Sequence, residues 1–454
     1  MNMQPIKGIL FLFFFSFICL ITMAQISTLS LKERAVVQDE LLKDRLDNLL
    51  PALMRQEGID MWVIIAREYN EDPVAKTMLP GTWLHARRRT VLVFFDKGVK
   101  EGVERLAVAR YDIGKLFKGE WNPEKEPNQW KRLAALIAER QPKNIGLNVS
   151  PQYAHADGLT KGEYDSLMFY LPATSKKAIT SAEKLAVNWL QIRSAQELVL
   201  YEQICNIGHR IIAEGFSEKV IHPGITTTED VVWWFRERVS GLKLDSWFHP
   251  TVDVQRANPG AGDSQRSFAT QPDKETIQPG DLVHVDFGIT YLGLNTDVQQ
   301  LAYVLKPGEK QAPEFLIKAL ATGNRLQDIL TASFALNKTG NQALKQALSQ
   351  AKKDNINASI YTHPIGYHGH GAGPAIGMWD MQGGVPGTGD YPLLHNTAYA
   401  IELNAKMNLP EWNNKEIRIM LEEQAVFTKE GVRYIDGRQK ELLLIPRNKT
   451  HTAQ

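Results

Sequence analysis

Cysteine is nearly absent from this 454-residue chain, which holds only Cys19 and Cys205. Past the leader described below only Cys205 remains, so no intrachain disulfide can form and the fold must rest on its core. An excess of either charge is also missing: 52 Lys+Arg stand against 51 Asp+Glu. That balance excludes the basic field expected of a protein built for nucleic acid or anionic membrane. No apolar run reaches the roughly 20 residues of a membrane span, and there is neither a fixed-period repeat nor a low-complexity tract. What is present is an ordinary globular mixture, 43% hydrophobic and 23% charged. At about 150 residues per domain the length suggests three units, or two larger ones.

Residues 1–24 differ from the rest. Lys7 precedes an apolar run over 9–23 that includes Phe13, Phe14 and Phe15, with no acidic residue, and Ala24 supplies a small side chain before Gln25. This reads as a signal peptide cleaved after Ala24, hence an exported, periplasmic or secreted protein with no stable membrane partner after cleavage. An uncleaved anchor is the alternative, and lipidation at Cys19 is disfavoured by Phe17 and Ile18 before it. Removing Lys7 leaves 51 residues of each sign, so the mature chain is neutral.

Leu41, Leu42, Arg45, Leu46, Leu49, Leu50 and Leu53 recur at helical intervals and predict a helix within 29–55. Short β-branched and aromatic runs at 61–65, 90–95 and 106–108, a helix near 129–140 and a strand near 144–149 complete an alternating α/β unit, assigned to 25–185. A second unit, 186–454, opens with a helix over 194–216 capped by Ser194 and a further helix over 228–239. It then turns strand-rich, with strands expected at 282–289, 298–304, 398–403, 417–427 and 441–445. Trp233, Trp234 and Phe235 read as core rather than as a substrate platform, while Trp379 and Asp380 suit a pocket wall. Nine glycines between 361 and 391 mark backbone that can approach a ligand closely.

Asp286 lies at the end of an apolar strand, and Asp297 follows eleven residues later beyond a turn containing Gly293. A hairpin would set the two carboxylates side by side, a costly arrangement unless a cation lies between them. Downstream come His370 in Gly369-His370-Gly371-Ala372-Gly373, Glu402 in an apolar strand, and Glu422 in another. Two Asp, two Glu and one His can ligate two divalent cations, lower the pKa of a bridging water and support metal-assisted hydrolysis.

In this order and spacing the residues resemble the pita-bread metallopeptidase family, which includes methionine aminopeptidase, aminopeptidase P, prolidase and creatinase. Gln278-Pro279-Gly280-Asp281-Leu282-Val283 is similar to that family's approach to its first ligand, and the N-terminal unit to the extra domain of its aminopeptidase P, prolidase and creatinase branch. The resemblance implies a creatinase-like α/β N-terminal domain followed by an α+β pita-bread catalytic domain. It implies that Asp286 chelates one metal, that Asp297 and Glu422 bridge both, and that His370 binds one metal together with Glu402, the general acid/base. His368 is the rival to His370, and Glu423 to Glu422. The oxygen-rich shell favours manganese, with cobalt, iron or zinc as alternatives.

Three departures stand out. The histidine expected seventeen residues before the first ligand is replaced by Ala269. The one expected seven residues after the ligand histidine falls on Gly377 counted from His370, and on Ala375 counted from His368. The arginine expected two residues before the last glutamate is Met420, the nearest being Arg418. His249, His363 and His368 are the candidate replacements for the missing histidines. The reading is therefore an exported dimetal aminopeptidase or dipeptidase that cleaves Xaa-Pro peptides through a metal-bridged water and forms a homo-oligomer. A metal-dependent hydrolase of another amide or ester, or an inactive metal-binding relative, is the alternative.

Overall fold

The computed structural model describes residues 26–257 and 274–447; the leader at 1–24 and the Ala269 position lie outside the described residues. Ser30 caps the first helix, Leu31–Asp44, in a reciprocal capping box with Glu33. The helix continues through a π-helical turn, Arg45–Leu49, into Leu50–Gln56, so the single helix expected from the leucine spacing is re-registered midway.

The N-terminal sheet comprises β1 (Met61–Arg67), β2 (Arg89–Asp96), β3 (Val103–Ala107), β4 (Lys118–Gly119), β5 (Ile145–Leu147) and β6 (Ile179–Ser181), in the order β4-β3-β2-β1-β5-β6. β1 pairs antiparallel with β2 and parallel with β5. Both of its faces are covered: Trp62, Ile64 and Phe94 pack with Leu50 and Leu185, and Met61, Val63 and Val93 with Leu133 and Ile137 of the helix Gln129–Arg140. Two-sided burial explains why these strands read as unbroken apolar runs. The residue 185/186 boundary drawn from the sequence falls inside the helix Glu183–Gln191, whose Trp189 and Leu190 belong to the N-terminal core.

The second unit contains β7 (Thr251–Gln255), β8 (Leu282–Phe287), the small hairpin β9 (Thr290–Tyr291) and β10 (Leu294–Asn295), and β11 (Val298–Val304). β8 lies between β7 and β11, antiparallel to both. Val283, Val285, Phe287 and Val298 pack on Tyr201 and Ile204 of the helix Ala195–Gly215 and on Phe235 of Thr228–Gly241. By alternation His284, Asp286 and Gln299 occupy the opposite face.

The remaining strands are β12 (Asn357–Ile360), β13 (His363–Pro364), β14 (Thr397–Ala400), β15 (Leu403–Leu409), β16 (Lys415–Leu421), β17 (Gln424–Thr428), β18 (Gly431–Tyr434) and β19 (Leu443–Ile445), the last beside β11. The strands expected at 398–403 and 417–427 are each broken in two, at Ile401-Glu402 and at Glu422-Glu423. At these breaks the chain passes between the sheet β13-β14-β17-β18 and the sheet β12-β15-β16. Two helices that the sequence reading did not place, Glu314–Thr331 and Gly340–Lys353, join the core formed with β15 and β16.

Candidate metal centre

Five side chains converge where these sheets meet. The antiparallel register sets Asp286 opposite Gln299 and brings Asp297, which immediately precedes β11, beside it. Glu402 is held at its strand break by Thr362, whose hydroxyl donates to the Glu402 carbonyl at 2.9 Å and accepts from its N–H at 3.0 Å. Glu422 is held at the other break by a two-way backbone bridge to Gln299, with N···O distances of 3.0 and 3.2 Å. β13 pairs His363 with Ala400 and so brings an imidazole to the same point. His363 Nε2 lies 3.8 Å from Asp297 Oδ2, 3.9 Å from Glu402 Oε2 and 3.6 Å from Glu422 Oε1.

Ligand atoms of Asp286, Asp297 and Glu422 lie within 4.8 Å of one another, as do those of His363, Glu402 and Glu422, and those of Asp297, His363 and His370. Within this cluster Asp297 Oδ1, His363 Nε2 and Glu422 Oε1 are buried without a hydrogen-bond partner. Buried polar atoms ordinarily have one. Burial pushes the Asp297 carboxyl far up, with Glu422 and Asp286 adding repulsion, and it pushes Glu422 up as well. Burial pushes His363 down, which favours the neutral imidazole that a metal requires. Crowded carboxylates, a neutral imidazole and three orphaned atoms fit divalent cations.

The structure brings together Asp286, Asp297, Glu402 and Glu422, adds His363, and places the other three histidines differently. His370 is exposed at the mouth, its ring 4.8 Å from that of His363 and 5.3 Å from that of Trp247. Desolvation and the neighbouring His363 push it down to about 4. His368 faces away, with its ring 4.6 Å from that of His155, and burial pushes it down to about 3. His249 is exposed, 3.1 Å from Arg236 Nη1 and packed edge-on to Trp233. Neither His368 nor His249 belongs to a ligand cluster among the described residues. Counted from His363, the seventh residue onward is His370. The spacing that fails from His370 and from His368 is thus met from His363, and this was the signal in the sequence that would have singled it out.

Glu423 points out of the cluster, with Oε2 2.7 Å from His209 Nε2 and Oε1 accepting from Gln300 and from the Gln439 N–H, each at 3.0 Å. Burial alone would lower His209, but Glu423 and Asp436 on its two sides outweigh it and raise the imidazole to about 10. Arg418 lies in β16, where the Gln255 side chain holds both its N–H and its carbonyl. Trp247 donates its indole N–H to the Thr296 carbonyl at 2.8 Å. A Cβ on Gly369 would overlap that indole, so only glycine lets the His370 segment seat there.

Residues 200–436, more than half of the chain, match the model of metallopeptidase family M24. The chain belongs to metallopeptidase family M24. No curated protein sequence matches it. Among solved structures, this M24 chain is similar to the X-Pro aminopeptidase of Thermotoga maritima, with a TM-score of 0.61 at 15% identity over 87% of this chain and 99% of that one. It is similar to a Xaa-Pro dipeptidase of Bacillus anthracis, with a TM-score of 0.53 at 17% identity over 90% and 99%. It is also similar to the N-terminal domain of the FACT complex subunit SPT16 of chickpea, with a TM-score of 0.52 at 12% identity over 92% and 100%. At these identities the likeness establishes the fold: a creatinase-like α/β domain followed by a pita-bread domain. The M24 family is dimetal-dependent, and the cluster above supplies the candidate ligands.

Proposed function

We propose that this M24 metallopeptidase is an exported, manganese-dependent enzyme that removes the residue preceding proline from short peptides or dipeptides. The observation that carries the reading is the convergence of Asp286, Asp297, His363, Glu402 and Glu422 around three orphaned buried atoms. Asp286, Asp297 and Glu422 would hold one cation, and His363, Glu402 and Glu422 the other. The ligand role that the resemblance gave to His370 passes to His363, because His363 lies inward among the carboxylates while His370 stands at the mouth. Two divalent cations held there supply Lewis acidity and make water a competent nucleophile near neutral pH.

The protein's own groups do the rest. Glu402 is fixed through Oε1 by the Gln299 amide at 2.6 Å, which turns Oε2, 3.9 Å from His363 Nε2, toward the cluster, where it can take a proton from water and return it to the departing amine. His370, neutral at pH 7, presents a ring N–H to the substrate carbonyl. Trp247, against His370, walls that side and excludes water. The Xaa-Pro preference is supported by the solved relatives, an X-Pro aminopeptidase and a Xaa-Pro dipeptidase, export by the apolar leader, and a homo-oligomer by the family resemblance alone.

The test is manganese-dependent hydrolysis of Xaa-Pro dipeptides and tripeptides by the purified mature protein, compared with Glu402→Ala. Turnover lost in that variant with metal retained supports the reading. Ala269, at the position of a substrate-contacting histidine in the resembling family, favours a second reading, hydrolysis of a different amide or ester. Bound metal with turnover of such compounds, and of no peptide, would select it.

A further inference from the structure

The two glutamates of the metal centre share one neighbour. Gln299 Nε2 donates to Glu402 Oε1 at 2.6 Å and to Glu422 Oε2 at 2.8 Å. Its Oε1 lies 3.0 Å from His284 Nε2, and His284 Nδ1 lies 3.0 Å from Asp253 Oδ2. Gln299 is 3% exposed and His284 1%, so neither contact can be exchanged for water without opening the core. The chain of contacts follows from strand register: Asp253 and His284 are directly paired across β7 and β8, and Gln299 and Glu422 are paired through their backbones.

A carboxamide NH2 group has two hydrogens diverging in one plane. Placed between two carboxylates, it can hold one oxygen of each and thereby set how each carboxylate is turned. The opposite oxygens here, Glu402 Oε2 and Glu422 Oε1, are the atoms 3.9 and 3.6 Å from His363 Nε2. A flipped amide would set its carbonyl against both carboxylates, with only repulsion to offer. The Nε2–H of His284 needs the amide oxygen where it is, and Asp253 at Nδ1 fixes the ring that carries it, so the pair opposes that flip.

We propose that Gln299 is a positioning residue that orients Glu402 and Glu422 for metal and proton handling, and that the Asp253–His284 pair locks its amide in the donating orientation. The proposal rests on the metal-centre reading above. It predicts that metal affinity depends on a residue, Asp253, placed two hydrogen-bonded side chains away from the ligands.

The experiment is calorimetric titration of metal-depleted protein with Mn2+, together with kcat and KM, for wild type, Gln299→Met, Asp253→Ala and Asp253→Asn. Gln299→Met is expected to lose tenfold or more in both Mn2+ affinity and kcat, with KM within about threefold. Asp253→Ala should move the same quantities in the same direction by less, and Asp253→Asn, whose amide N–H can donate to Nδ1 and leave the imidazole hydrogen on Nε2, should restore most of the loss. Folded Gln299→Met with wild-type affinity and kcat would overturn the proposal. If circular dichroism shows Gln299→Met unfolded, Asp253→Ala decides, and unchanged affinity and kcat there would overturn it. Wild-type protein that binds no Mn2+ would overturn the metal reading itself, and the positioning role with it.

Discussion

The two oxygens of the Glu422 carboxylate have different surroundings: Oε2 is held by Gln299, whereas Oε1 is buried with no partner. The same asymmetry separates His363, with Nε2 orphaned among carboxylates, from His370, with its ring at the mouth. His363→Ala should therefore lose one of two bound cations. His370→Ala should keep both and lose roughly a hundredfold in kcat/KM, as expected for a removed transition-state donor. Metal analysis beside kinetics checks both, and the reverse pattern would restore His370 as the ligand. The four carboxylates could be picked out through the family resemblance that their order and spacing carry, and Asp286, Glu402 and Glu422 each stand out in an apolar run. The histidine was not, because glycines around an imidazole look like ligand access. Gly369 instead makes room for Trp247, a contact invisible in the sequence. His209 offers a pH test. Its raised value means that the stability from its contacts with Glu423 and Asp436 is fully present below its ordinary 6.5 and is lost as pH rises through about 10. The denaturation midpoint of wild type should fall across that window, and His209→Gln should flatten the decline.

Strand breaks are the element-level device that delivers the acids. A continuous strand through 398–403 or 417–427 would have fixed each glutamate on one face of one sheet. The breaks instead turn Glu402 and Glu422 toward the junction of the sheets, with the freed backbone groups bonded to Thr362 and Gln299. Periodicity reports burial on both sides of a break but not the break itself, since the flanking residues remain apolar. The helices Glu314–Thr331 and Gly340–Lys353 were legible in principle: Leu316, Leu320, Gly323, Leu326 and Leu330 share a stripe, and Thr339 with Gln342 forms a capping box. Trp233 corrects the reading in the other direction. It was expected in the core and is 53% exposed, packed edge-on against His249, while Phe235 alone of that triplet is fully buried. At this scale Gly369→Ala is the informative change. Its Cβ would overlap Trp247, so stability should fall by about 1–3 kcal/mol and turnover should fall with it, read from thermal melts and kinetics on one preparation.

Across the whole molecule, the N-terminal unit is joined to the catalytic unit through a buried charge cluster rather than through apolar contact alone. Arg45 and Arg193 both bind Glu197, at 2.6 and 2.9 Å, and all three side chains are fully buried. Both guanidiniums also lie over the Tyr367 ring, four residues beyond His363, so the junction supports the loop that carries the site histidines. Glu197→Gln would leave two buried cations without their counter-charge and should cost about 3–5 kcal/mol, measured as a shift in the denaturant midpoint. The alternation of helix and strand made the two-unit layout readable in the sequence. This junction was not, because Arg193 and Glu197 look like ordinary surface charges until the chain is folded, and Arg45, although it falls on the leucine stripe, does not reveal its partner. The metal content of the purified protein tests most directly whether the cluster at the meeting of the sheets is a two-cation centre. About two divalent ions per chain, falling to about one in His363→Ala, is the predicted result; a wild-type protein that carries no metal and takes up none from manganese buffer would contradict it.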